Sequence, residues 1–158
     1  MYQWMEHRTD HGSIWIGSDG ERITGVSFDR SEVISDRPAP VLIEARDQLE
    51  AFLEGRLKNF DLPLAPEGTV LQKKIWNRLL KIPFGGTITY AALAREFGGS
   101  RFARAVGSAC GANPIPIIIP CHRVIASDGR LTGYIGGLAW KQRLLAIEGV
   151  GQMAFAGM

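Results

Sequence analysis

Apolar residues alternate at first and later recur at helical spacing. Ile14 and Ile16, then Ile23, Val26 and Phe28, are interleaved with polar or small residues on either side of Ser18-Asp19-Gly20. Alternation puts one set of side chains on one face of a pleated strand, and Asp-Gly between two such runs is a hairpin signal. Residues 13–17 and 22–28 are therefore expected to pair as a β-hairpin. After Pro38 and Pro40 the spacing changes to three and four, and Val41, Leu42, Ala45, Leu49, Phe52 and Leu53 predict one amphipathic helix stopping at Gly55. A third short strand is expected within residues 59–64, after which Pro63, Pro66 and Gly68 mark a boundary near residue 66.

Beyond that boundary the pattern is mostly helical. Thr69 caps a helix over residues 70–81 whose apolar positions are Leu71, Ile75, Trp76 and Leu79, ended by Pro83. Two shorter helices are predicted over 91–97 and 101–110, joined by Gly98-Gly99-Ser100 with Ser100 as cap, the second closed by Gly111. Two helices of two to three turns joined by a glycine-containing turn form a helix-turn-helix, with the second as recognition helix. That helix is built from small residues, among them Ala103, Ala105 and Gly107, around the long cation Arg104. Such a surface allows close backbone approach to a partner, and an interior packing helix has the same composition. The expected fold class is α+β: a small antiparallel sheet with a helix in a domain of residues 1–66, then a mostly helical, winged-helix-like domain of residues 67–158.

Composition narrows the classes. The chain has 158 residues, 46% hydrophobic and 22% charged, which excludes a disordered tail. The apolar stretch Ile115 to Ile119 is interrupted by Pro116 and is far shorter than the ~18 residues a membrane span needs. No membrane span is expected, the early acid Glu6 argues against a secretory signal, and the cytoplasm is the expected compartment. Two cysteines, Cys110 and Cys121, cannot form the multi-bridge framework of a small secreted fold. Net charge is +2, but it divides unevenly, to about −5 through Pro66 and about +7 from Glu67 onward. A basic half of that size suits a polyanion, and a solvated basic face is the plainer reading.

The chemistry concentrates in residues 113–124, where Pro114, Pro116 and Pro120 predict an extended path anchored by a run of isoleucines and delivering Cys121 on a rigid support. A thiol attacks when its proton is removed or its charge stabilised, and His122 and Arg123 place an imidazole and a positive charge next to it in sequence. An inert buried thiol is the alternative. The last helix, residues 137–148, carries Glu148 in its final turn, where the helix dipole opposes a carboxylate. A histidine partner would resolve that conflict, giving a relay in which carboxylate orients imidazole and imidazole deprotonates thiol. The loop Gly133-Tyr134-Ile135-Gly136-Gly137 could close over a flat ligand or simply turn the chain. His7, His11 and His122 with two distant cysteines make a poor metal set, and no metal site is expected.

Pro120-Cys121-His122-Arg123-Val124, preceded by Asn113-Pro114 and Arg104-Ala105-Val106-Gly107 and followed by Gly133-Tyr134 and Glu148-Gly149, closely resembles the O6-alkylguanine-DNA alkyltransferases, the methylated-DNA–protein-cysteine methyltransferases. The likeness runs from about Thr69 to Gly149. It implies a DNA-repair protein whose Cys121 takes the alkyl group of O6-alkylguanine, with O4-alkylthymine a further candidate, in one irreversible turnover. It further implies His122 as base acting through a water, Glu148 as its orienting carboxylate, Tyr90 as an aid to base rotation and a donor to the guanine, and Asn113 as the tie between recognition helix and cysteine segment. Arg104 would replace the flipped nucleotide from the minor groove, with Ser100, Ala103, Ala105 and Gly107 on the DNA side. Val124, Tyr134, Ile135 and Gly136 would line the base pocket, with Arg123 also on the substrate or DNA side. No cofactor is implied. The implied partner is double-stranded DNA bound with little sequence preference, by a monomer whose cooperativity on DNA stays open. Many members carry a small polar residue where this chain has Ile135, which leaves the alkyl range open. Three other classes compete: a non-catalytic binder of alkylated DNA, a Cys-His hydrolase and a helix-turn-helix regulator, the last with no need of Cys121.

Overall fold

The computed structural model describes residues 3–29, 36–129 and 131–150. The chain divides into two compact units, one of Met1–Glu67 with Pro114–Ile118, the other of Gly68–Asn113 with Ile119–Met158.

The first unit is a three-stranded antiparallel sheet, β1 (Gln3–Thr9), β2 (Gly12–Ser18) and β3 (Ile23–Ser27), in that order, with α1 (Pro40–Leu53) packed on it. The β2–β3 hairpin pairs Ile16 with Val26, and Ile14, Ile16 and Ile23 are fully buried. α1 buries Leu42, Ala45, Leu49, Phe52 and Leu53, the stripe that the three-and-four spacing predicts. β1, not residues 59–64, supplies the third strand. The 59–64 stretch reaches the sheet only at Leu64, in an isolated bridge to Ile23, since proline at 63 has no N–H for a ladder. Gly17 and Gly25 leave room for the Trp4 ring, which a Cβ at either would approach to 2.9 and 2.7 Å.

The expected extended path through the proline run is also corrected. Residues 117 and 118 form a turn, and Ile117 takes a left-handed backbone with φ 74° while staying buried. A β-branched residue there is strained by about 1–2 kcal/mol, which burial of Ile115, Ile117 and Ile118 offsets.

The second unit begins with α2 (Val70–Leu79), entered through a capping box in which Thr69 Oγ1 accepts from Gln72 N at 3.1 Å and Gln72 Oε1 from Thr69 N at 2.9 Å. β4 (Ile88–Thr89) leads directly into α3 (Tyr90–Glu96), whose N-cap Thr89 accepts from Ala92 N at 3.0 Å. Gly98 and Gly99, at φ 131° and 122°, make the turn, and a 3-10 turn over Ser100–Phe102 precedes α4 (Ala103–Gly111). Ser100 is therefore not the cap of α4, because Phe102 N closes the 3-10 turn on Gly99 O at 2.9 Å and the helix starts three residues later. The α2 and α4 helices are joined by Trp76 Nε1 donating to Ala109 O at 2.9 Å. A second 3-10 turn, Cys121–Arg123, runs into β5 (Val124–Ile125), which pairs parallel to β4 with Ile88 opposite Val124. α5 (Leu138–Ile147) ends the described fold, and no helix among the described residues is long and apolar enough to cross a membrane.

Candidate active site

The β4–β5 pairing sets the site. It holds the start of α3, with Tyr90, beside the turn that carries Cys121, His122 and Arg123. Tyr90, Gly107, Cys110, Gly111, Cys121, Thr132, Gly133, Tyr134 and Ile135 line one cavity of about 490 Å³. That size is within the range that encloses a small organic ligand. Gly107 and Gly111 form part of one wall, and a Cβ at either would meet nothing within 4 Å, so α4 presents bare backbone to open space.

Behind the cavity wall lies a buried polar network. His122 Nε2 and Glu148 Oε2 are 2.6 Å apart, and both side chains are wholly buried. Glu148 also accepts from Arg123 Nε at 2.7 Å, Arg123 Nη2 at 2.9 Å and Gly85 N at 3.0 Å. Arg123 Nη1 donates to Ile82 O at 2.6 Å. Burial alone would raise the Glu148 carboxyl, but the hydrogen bonds from His122 and Arg123 outweigh it and bring the group down to about 2. An ionised carboxylate only accepts, so the shared proton sits on His122 Nε2 and leaves a lone pair on Nδ1. Burial also lowers the His122 pKa, which keeps the ring neutral at physiological pH. His122 Nδ1 is buried with no hydrogen-bond partner among the described residues. A neutral imidazole with a free lone pair is a general base in waiting.

Cys121 is buried, and that burial pushes its thiol up to about 11, against the downward pull of a hydrogen bond with Asn113 and of the Lys141 charge. The resting group is thus a thiol that needs a base. Asn113 Nδ2 also donates to Ile119 O at 2.8 Å, fixing the strand of chain that enters the cysteine turn. Tyr90 keeps its phenolic proton, its pKa raised by burial, and shares a hydrogen bond with Thr132.

The residues named from sequence fall into three groups. Cys121, Tyr90, Gly107, Tyr134 and Ile135 line the cavity; His122, Glu148 and Asn113 stand behind it; Ser100, Ala103, Arg104 and the half-buried Ala105 lie along the start of α4. Val124 is fully buried, and neither it nor Gly136 is among the cavity-lining residues. Arg123 is also absent from the cavity lining: its guanidinium is buried and donates to Glu148 and to Ile82 O. Sequence reasoning missed Cys110, Gly111 and Thr132 on the wall, Gly85 as a donor to Glu148, and Lys141. A lysine among the apolar residues of the last helix was the available signal for Lys141; nothing local marked Gly85.

A helix-turn-helix unit whose second helix shares a cavity with a buried cysteine, itself followed in the chain by a histidine–carboxylate pair, defines the class as a DNA-binding protein with a cysteine-lined pocket. Residues 70–150 match the family model described as 6-O-methylguanine DNA methyltransferase, DNA binding domain, and residues 6–66 match its ribonuclease-like domain. The chain belongs to the 6-O-methylguanine DNA methyltransferase family. It is 45% identical over 144 residues to a methylated-DNA–protein-cysteine methyltransferase of Methanosarcina acetivorans, covering 87% of this chain and 92% of that one. A Haemophilus influenzae relative of the same name is 40% identical, covering 87% and 80%. The crystal structure of a Mycobacterium tuberculosis O6-methylguanine methyltransferase superposes with a TM-score of 0.83 at 37% identity over 94% of this chain and 93% of its own. The Mycobacterium tuberculosis OGT in complex with DNA gives 0.80 at 39% identity, over 93% and 91%. The activity is that of a DNA-repair methyltransferase acting on methylated DNA, with DNA as partner and a protein cysteine as acceptor.

Proposed function

We propose that Cys121 is the alkyl acceptor and that residues 67–158 carry both DNA binding and chemistry, residues 1–66 forming a separate supporting domain. The observation that carries this reading is that Cys121 lines the cavity while the next residue in the chain, His122, is hydrogen-bonded to the buried Glu148. His122 Nδ1 takes the thiol proton through a water, Glu148 stabilises the imidazolium, and the thiolate displaces guanine from the alkyl carbon. One S–C bond forms as the C–O6 bond breaks, and the electron pair leaves with the guanine. Tyr90, protonated and on the cavity wall, donates toward that developing charge.

The target oxygen is hidden inside a duplex, so the nucleotide must be flipped out at a cost of a few kcal/mol. Arg104, exposed on the first turn of α4 beside bare glycine backbone, fills the gap from the minor groove. Binding is carried by phosphate charge with little sequence preference, by a monomer in the cytoplasm. The thioether product has no good leaving group, so each molecule acts once and needs no cofactor. Alkylated thymine is a second candidate substrate of the same pocket.

Intact-mass measurement after mixing with an oligonucleotide containing O6-methylguanine tests the reading. The protein should gain one methylene on the peptide holding Cys121, and Cys121→Ser should gain none. Unmodified wild-type protein beside unrepaired DNA, or a methyl group on another residue, overturns it.

A further inference from the structure

Lys141 is fully buried. It projects from α5, where its Nζ donates to Val124 O at 3.0 Å and to Thr132 O at 3.4 Å and lies 5.9 Å from the centroid of the Tyr90 ring. Among the described residues no carboxylate is within ion-pair distance of it; Glu148, the acid of this region, is committed to His122, Arg123 and Gly85. An ammonium buried without an anion costs several kcal/mol. Carbonyl dipoles and a ring face ease that penalty but supply no formal negative charge. The groups around it that can become anionic are Cys121 and Cys110, both on the cavity wall, and Tyr90.

We propose that Lys141 is a positioning residue of the transfer reaction, supplying the counter-charge for the Cys121 thiolate while pinning the Thr132 end of the pocket loop to β5. This rests on Cys121 being the acceptor. The two tasks are coupled by one nitrogen: the same ammonium that holds the loop carbonyl in place is the cation that the ionised sulfur sees. His122 removes the proton, and Lys141 offsets the charge left on a sulfur that the fold largely buries. The charged and titratable groups that interact with the sulfur are Cys110 from α4, Tyr90 from α3 and Lys141 from α5, with His122 next to it in the chain. Of these, Lys141 is the one whose charged form is a cation in the ordinary range; burial lowers its pKa, while the neighbouring Cys121 and Cys110 sulfurs pull it back up, and burial lowers that of His122.

The test reads the thiol without DNA. Iodoacetamide alkylates a thiolate, the S–C bond forming as iodide leaves, and peptide mapping separates Cys121 from Cys110. Its rate at Cys121 is followed from pH 6 to 10 in wild type, Lys141→Met and Lys141→Arg. Removing a nearby opposite charge moves a titratable group by ~1 unit or more. Lys141→Met should therefore displace the profile upward by that amount and react roughly ten-fold more slowly at neutral pH, with Lys141→Arg restoring most of the rate. A wild-type profile in Lys141→Met, or no rescue by arginine, overturns the proposal. If Lys141→Met fails to fold, Lys141→Gln, which keeps a donor for the Val124 and Thr132 carbonyls but carries no charge, takes its place: a slowed profile supports the proposal and a wild-type profile overturns it. Failure of the underlying reading looks different, as wild-type protein that leaves a methylated oligonucleotide unrepaired.

Discussion

Glu148 receives four hydrogen bonds, from His122, twice from Arg123 and from Gly85, and this sets both the acid stability and the base strength of the site. Its partnership with a histidine is legible in sequence, since a carboxylate at a helix C-terminus needs a compensating donor. The role of Arg123 is not legible. Within a single 3-10 turn Cys121 faces the cavity while Arg123 is spent on the carboxylate behind it, and a sequence does not show which way each side chain of a tight turn points. Glu148→Gln would leave the Arg123 charge buried with one carboxylate fewer, which costs about 3–5 kcal/mol when a buried pair is broken. Chemical denaturation should show that loss. Repair should slow by roughly 10²-fold or more as His122 loses its orientation and counter-charge. Acid stability follows with a definite sign. Glu148 is held at about 2, below the 4.5 of an unperturbed carboxyl, so its contribution is complete above 4.5 and is lost as pH falls from 4.5 through 2. His122, held neutral by burial, adds a loss beginning as pH falls through its ordinary value of 6.5, where the unfolded chain gains a proton first. Melting temperatures between pH 8 and 3 should therefore decline in two stages, and Glu148→Gln should flatten the lower one.

The α4 helix combines poor helix formers with a functional face. Gly107 sits mid-helix, where glycine is unfavourable by about 1 kcal/mol relative to alanine. A Cβ there meets nothing within 4 Å in the free protein, so no packing reason opposes alanine. Gly107→Ala should raise stability by about 0.5–1 kcal/mol. Because this wall also bounds the cavity that Cys121 lines, the same variant should repair duplex DNA more slowly. A Gly107→Ala protein both more stable and fully active would show that the bare backbone serves nothing. The helix-turn-helix was readable because glycines and helical spacing are local signals, and the β2–β3 hairpin for the same reason. β1 was not: of its seven residues Met5 alone is buried and most others are half-buried, so no clean alternation marks it. The 59–64 stretch looked like a strand in composition, yet Pro63 within it lacks the N–H group a ladder requires.

At the scale of the whole chain, charge is sorted by sequence, acidic through Pro66 and basic beyond it, and this has a measurable consequence for DNA affinity. Cations that neutralise phosphates release counterions, so affinity falls with salt by a slope of about 0.9 per phosphate contacted. A side chain that fills the space of an extruded base contributes contact and stacking and leaves that slope alone. Arg104 is exposed at the start of α4, where it could do either, and the two roles separate cleanly in one measurement. Binding of wild type and Arg104→Ala to a methylated duplex, titrated from 50 to 200 mM salt, should give parallel lines offset by roughly ten-fold in affinity if Arg104 acts as the wedge. A line flatter by about one unit, converging at high salt, would assign Arg104 to a phosphate instead. Arg101 is the natural comparison, because it lies 5.2 Å from the Phe102 ring centroid, on the turn that leads into α4. Arg101→Ala should lower the slope where Arg104→Ala does not, since a guanidinium held on the protein surface reaches the backbone of the duplex more readily than its stack.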